Sequence, residues 1–116
     1  MTNAIAPEIG TVFVPVSDIA KARDWYCSLL GAPADGEILF GHLYVLPMNG
    51  AGLVLDSKIY SADAVFRVPA FHLNTSDIQA AHAHVQDAGA EVTEIRDGQW
   101  FNFKDPDGNV LMICEC

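Results

Sequence analysis

The chain has 116 residues, enough for one domain or two small fused modules with a core that needs no staple. Fifteen Asp plus Glu against six Lys plus Arg give a formal charge of −9, which argues against nucleic acid, whose binding rests on neutralising phosphates. Hydrophobic residues make up 51 %, yet no apolar run is long enough to span a membrane, and Met1 to Pro7 shows neither a basic nor a long apolar leader region, so the expectation is a cytoplasmic protein without membrane or nucleic-acid partners.

Met1 to Gly10 reads as a loose arm. Thr11 to Val16 alternates as a strand, and Pro15, which cannot donate to a ladder, places it at a sheet edge or ends it. Ser17 or Asp18 caps a helix whose apolar stripe is Ile19, Ala22, Tyr26 and Leu29, widened by Trp25, and which stops at Gly31 before Pro33. Three extended pieces follow: Glu37 to Phe40, His42 to Met48 and Gly52 to Asp56, with Asn49-Gly50 as a hairpin signal between the last two. Ser57 to Pro69 lacks a period and reads as a linker. The pattern then repeats. Phe71 to Thr75 is a strand, and Ser76 to Gln79 reads as a capping box. A helix with stripe Ile78, Ala81, His82, Val85 and Ala88 ends at Gly89. Strands at Glu91 to Ile95, Gln99 to Lys104 and Val110 to Glu115 complete the second unit. Asp97-Gly98 and Asp105-Pro-Asp-Gly-Asn109 mark its turns.

The chain therefore says strand, helix, three strands twice, with Ser-Asp-Ile at 17–19 and again at 76–78. The expected fold class is α+β: two tandem βαβββ modules, residues 11–56 and 70–116, joined by the linker 57–69 into a single domain spanning 1–116. The helices are expected on one side of a mainly antiparallel sheet, and the duplication places any pocket between the two halves. Three cysteines imply no closed disulfide framework, and reduced, buried thiols are expected at Cys27 and Cys114.

Three stretches carry a family resemblance. They are Val16-Ser-Asp-Ile19 running to Trp25-Tyr26 and Leu30-Gly31, Thr75-Ser-Asp-Ile78 running to Ala88-Gly89, and Phe103-Lys-Asp-Pro-Asp-Gly-Asn109 before the last strand. In this order they resemble the vicinal oxygen chelate superfamily of glyoxalases, bleomycin-resistance proteins and extradiol dioxygenases, over almost the whole length from Thr11 to Cys116. The resemblance implies two half-cups that combine around a cavity, commonly in a homodimer. It also implies a metal held by His or Gln on the first strand of each module and Glu on the last. Carried over residue by residue, those positions fall on Thr11, Ala70, Met112, and Leu55 or Asp56. Thr and Met are poor ligands for a divalent ion and Ala is none, so the resemblance extends to the fold and not to the usual metal site.

Strand parity nominates residues for the cavity. His72 shares a face with Asn74, Met112 with Cys114 and Cys116, and Trp100 with Asn102, while Phe13, His42 and Tyr44 are candidates from the first module. Trp100 and Tyr44 could stack on a planar or cationic ligand. His82 reads as a packing residue and His84 as a solvent-facing one. The expected ligand-binding set is thus His72, Trp100, Tyr44, His42, Cys114, Phe13, Asn102 and Met112. The leading expectation is a binding protein without cofactor, holding a small aromatic or cationic molecule in a cleft between modules. The alternative is a metal-dependent lyase or dioxygenase with altered ligands, His72, Cys114 and Asp56. An accessory or dimerisation domain, whose cup is only a core, ranks third.

Overall fold

The computed structural model describes residues 4–116; Met1 to Asn3, part of the expected N-terminal arm, lie outside the described residues. Residues 4–10 carry no helix or strand. β1 (Thr11–Pro15), α1 (Ile19–Leu30), β2 (Leu43–Val45) and β3 (Gly52–Asp56) form the first unit, and β4 (His72–Asn74), α2 (Ile78–Asp87), β5 (Trp100–Lys104) and β6 (Val110–Cys114) the second.

Each unit contributes a three-stranded sheet of the same topology. The first has the order β1-β3-β2 and the second β4-β6-β5. In each, the helix carries the chain over so that the first and last strands pair in parallel, while the middle strand pairs with the last antiparallel. The sheets are thus mixed rather than mainly antiparallel. The first of the three strands expected after each helix shrinks to isolated bridges, Leu39 to Leu43 in one unit and Val92 to Phe103 in the other. Tight turns explain the first case, because Phe40 and Gly41 both have positive φ, 52° and 77°, and fold residue 39 straight back onto 43. The Asn49-Gly50 signal does lie between paired strands, but β2 ends at Val45 and β3 begins at Gly52, so the connection is longer than a two-residue turn. Pro15 sits where its missing N–H predicts, on the edge strand β1.

Local chemistry sets the helix ends. Asp18 accepts from the Lys21 N–H at 3.1 Å, and Gly31, at φ 67°, turns α1 off while the Ala32 N–H reaches back to Cys27 O at 2.8 Å. The cap of α2 is Asp77, not Ser76: its carboxylate accepts from Ala80 N–H at 3.0 Å. Glu115 adds a cap from outside the helix by accepting the Ile78 N–H at 2.8 Å.

Both helices lie on one side of the sheets and settle the parity question. Val14, Val16, Tyr44, Leu46, Leu53, Leu55, Phe101, Phe103, Leu111 and Ile113 are buried beneath them. Ring contacts mark the packing: His82 of α2 stands edge-on to Phe101 at 4.8 Å, and Trp25 of α1 meets Phe103 at 6.3 Å. Burying one such Phe contributes roughly 1.5–3 kcal/mol. His84 is not the idle surface residue expected; its Nε2 lies 3.0 Å from Leu29 O and ties α2 to the end of α1.

The two units are joined by a buried polar knot at the Asp105 to Asn109 turn. The Asp105 carboxylate accepts from Tyr26 Oη at 2.6 Å, from Asn109 Nδ2 at 2.8 Å, and from the Asp107 and Asn109 N–H groups at 2.9 Å each. Asn109, fully buried, also donates to Pro15 O and accepts from Phe66 N–H. Asp107 takes both the hydroxyl and the N–H of Ser17. The Tyr26, Pro15 and Ser17 bonds cross between units, and the Phe66 bond ties in the linker.

The knot makes a pH prediction. Burial first, then the Asp105 charge and hydrogen bond, holds the Tyr26 phenol well above its ordinary 10.0. The folded state therefore keeps a proton that the unfolded chain releases. The associated stability is complete below the unfolded value and drains as pH rises through the folded one. Urea midpoints followed from about pH 9 to about pH 11 should fall more steeply for the wild type than for Tyr26→Phe. Parallel curves would show that the bond carries no such linkage.

Candidate functional site

The face of each sheet turned away from the helices is where a ligand could sit. In the second sheet the register brings together most of the sequence-predicted residues. His72 is opposite Met112, Met112 opposite Asn102, and Cys114 opposite both Asn74 and Trp100. Paired residues point to the same side, so His72, Asn74, Trp100, Asn102, Met112 and Cys114 share one face. His72 and Asn74 are exposed, and Trp100, Asn102 and Met112 half-buried. Arg96 lies over the Trp100 ring at 5.9 Å, so the indole already holds one cation on its π-face.

Asn102 is the most informative member. Its side-chain oxygen is buried and has no partner, the one such side-chain atom among the described residues. Its backbone is satisfied, exchanging hydrogen bonds with Thr93 at 2.9 and 3.0 Å. Buried polar groups are nearly always paired, and leaving one unpaired costs about 1–3 kcal/mol. A groove of about 400 Å³ opens beside it, lined by Val92, Thr93, Asn102, Phe103 and Val110. Asn102 thus places a shielded, unpartnered oxygen in a residue that lines an open groove.

The first sheet presents a different face. Phe13 is opposite Val54 and Val54 opposite Val45, and both Phe13 and Val45 stand about half exposed, at 51 % and 55 %. Asp56 is two residues along the same face from Val54, buried, and its Oδ1 is 2.8 Å from His42 Nδ1. Tyr44 is on the opposite side. It is buried under α1, where its hydroxyl accepts from Gly36 N–H at 3.2 Å and lies 3.7 Å from Cys27 Sγ. Its neighbours Leu43 and Val45 take the open face instead, because the pleat alternates. Tyr44 therefore stands apart from the other predicted residues.

Cys114 is not the reduced thiol expected. It forms a disulfide with Cys116, because the chain leaves β6 after Cys114 and brings the two Cα atoms to 5.3 Å. Cys27 is the free, buried cysteine. The shifted donor set of His72, Cys114 and Asp56 does not gather: His72 and Cys114 belong to the second sheet, Asp56 belongs to the first, and Asp56 Oδ1 already holds two donors. Among the described residues no three His, Cys, Asp or Glu side chains come together. Of the four positions that the resemblance assigns to a metal, three carry Thr11, Ala70 and Met112, whose side chains do not suit a divalent ion, and the fourth falls on Leu55 or Asp56.

Two repeated helix-backed sheets whose far faces stand open, one apolar and one mixed polar and aromatic, define a cup-forming α+β protein. The chain belongs to the Glyoxalase/Bleomycin resistance protein/Dioxygenase superfamily, whose family model matches residues 8–113. Among solved structures it is similar to TnmS3, an antibiotic binding protein from Streptomyces sp. CB03234. The two are 28 % identical with a TM-score of 0.72, covering 97 % of this chain and 98 % of that one. A glyoxalase/bleomycin resistance protein from the same Streptomyces is also 28 % identical, with a TM-score of 0.67 over 91 % of this chain and 98 % of that one. Oxidase ChaP-H1, at 20 % identity and a TM-score of 0.68 over 93 % and 94 %, shares the fold. No curated protein matches the chain. One fold thus hosts a binder and an oxidase, and function has to be argued from the site.

Proposed function

We propose that the protein is a binding protein that sequesters a small, planar aromatic molecule, with or without a cationic group, on the open sheet faces. The observation that carries this reading is the clustering of Trp100, Met112, His72 and the unpartnered Asn102 amide on one face of the second sheet. Such a surface offers stacking area, an adaptable thioether and an acceptor for a ligand N–H or O–H. The acidic charge favours a cationic ligand over an anionic one. The similarity to an antibiotic binding protein supports a small-molecule ligand.

The reading includes a homodimer. Phe13 and Val45 leave an apolar face half exposed, and the radius of gyration, 14.9 Å, exceeds the roughly 13 Å that a compact chain of this length has. A second copy laying its mixed face over the apolar one would close two cups by a two-fold axis.

The test is a thermal-shift and tryptophan-quenching panel of planar aromatic compounds with and without an amine, led by doxorubicin. Saturable quenching and a raised Tm are expected, strongest for the amine-bearing compounds. A panel in which no compound binds would overturn the proposal.

A further inference from the structure

The turn before β2 differs in an instructive way from its counterpart before β5. Both fold a residue back onto the strand that follows, Leu39 onto Leu43 and Arg96 onto Trp100, and both need positive φ at two successive residues. The second unit meets that need with Asp97-Gly98, residues that tolerate the left-handed region. The first unit uses Phe40-Gly41. A bulky aromatic at φ 52° is a strained choice, and this one is also 85 % exposed, so it satisfies neither backbone preference nor burial. Strain and exposed apolar surface together point to a ligand rather than to packing.

The residue that this turn delivers is His42. Its backbone is held on both sides, donating to Leu39 O at 3.0 Å and accepting from Ser57 N–H at 2.9 Å. Its Nδ1 lies 2.8 Å from Asp56 Oδ1, and the same oxygen accepts the Lys58 N–H at 2.9 Å. An ionised carboxylate only accepts, so the ring proton resides on Nδ1, and in the neutral ring Nε2 carries a lone pair. Among the described residues the His42 ring makes its hydrogen bond through Nδ1 and not Nε2, and the centroids of the Phe40 and His42 rings are 6.5 Å apart. The apolar pair Phe13 and Val45 lies one pleat, roughly 7 Å, along the sheet face that carries Asp56.

We infer that His42 and Asp56 form a proton-accepting dyad for a ligand with an acidic aromatic hydroxyl, a phenol or enol, held against Phe40 and the Phe13–Val45 face. This rests on the small-molecule reading above and narrows its ligand class. In the step, the ligand O–H bond breaks and an Nε2–H bond forms. The phenolate keeps the electron pair, and the resulting imidazolium is paired to the Asp56 carboxylate through Nδ1–H. His42 is the residue that touches the ligand; Asp56 positions it by fixing the tautomer.

The probes are 4-nitrophenol and its methyl ether 4-nitroanisole, which differ in the acidic proton and report the phenolate by colour. At one fixed pH, the wild type should bind nitrophenol at least about tenfold more tightly than nitroanisole and increase the phenolate band on binding. His42→Gln should equalise the two affinities and abolish the band increase. Asp56→Asn keeps an oxygen that can accept both Nδ1–H and the Lys58 N–H but removes the negative charge that pairs with the imidazolium, so it should diminish the band increase while still binding nitroanisole. Retained nitroanisole binding shows that a variant is folded. Equal wild-type affinities, or a band unchanged by both variants, would overturn the dyad and leave the binding reading standing. If neither probe binds, the dyad falls as well, and the doxorubicin titration decides whether the wider reading falls with it.

Discussion

Asp105→Ala is expected to cost about 4 kcal/mol of folding stability, a quarter or more of the roughly 5–15 kcal/mol that a domain commonly has. The carboxylate accepts four hydrogen bonds, and alanine leaves all four donors without it: the Tyr26 hydroxyl, the Asn109 amide, and the N–H groups of Asp107 and Asn109. Tyr26 and Asn109 are both almost wholly buried, so water cannot readily replace the lost acceptor. Each buried donor left unpaired costs about 1–3 kcal/mol, and partial relaxation keeps the total below the sum. The Tm should fall by roughly 15 °C. Asp18→Ala, which removes an exposed helix cap, should cost only about 1 kcal/mol and serves as the comparison. Urea unfolding of the three proteins measures both. An Asp105→Ala protein within about 1 kcal/mol of wild type would mean that the units are held together by the apolar core alone.

That knot was invisible in the sequence for a definite reason. Asp105 to Asn109 reads as a good turn, and it is one; the local signal is complete without any partner. Tyr26 lies 79 residues from Asp105, and Pro15 lies 94 from Asn109. The helices were legible because their signals are local. Asp18 and Gly31 mark the ends of α1, and the stripe through Ala22, Tyr26 and Leu29 marks its buried side. The same applies to the doubled topology, which follows from repeated short patterns. The missing strands were less legible, since Glu37 to Phe40 alternates adequately but its partner strand turns back after Gly41.

For the site, alternation could group residues but not orient the groups. His72 with Asn74, Met112 with Cys114, and Trp100 with Asn102 each held as same-face pairs, and the ladder joined them into one surface. Tyr44 obeys the same rule and falls on the other side, because it is the crossing of α1 that chooses which face is covered. Asn102 was a minor candidate in sequence, yet its unpartnered oxygen becomes visible only once every neighbouring donor has been placed. His42 paired with Asp56 was likewise hidden, since the two are 14 residues apart and brought together by the Phe40-Gly41 turn.

The opposite placement of two aromatic residues yields the second large prediction. Trp100→Ala should weaken binding of a planar aromatic ligand such as doxorubicin by about 2 kcal/mol, roughly thirtyfold, while costing the fold about 1 kcal/mol. The indole is half-buried on the open face, with Arg96 over its ring, so it contributes stacking area more than core. Tyr44→Phe should do the reverse. It removes the acceptor of the Gly36 N–H beneath α1 and should cost about 1 kcal/mol of stability with affinity unchanged. Reading both variants by calorimetric titration and by thermal melting separates a residue that meets the ligand from one that supports the sheet. If Tyr44→Phe weakened binding as much as Trp100→Ala, ligand affinity would track general stability, and the open face of the second sheet would lose its claim to be the binding surface. If only Trp100→Ala weakened it, the helices would be confirmed as the backing of the cup and the ligand as its filling. The side of the pleat on which an aromatic falls would then decide whether it folds the protein or serves it.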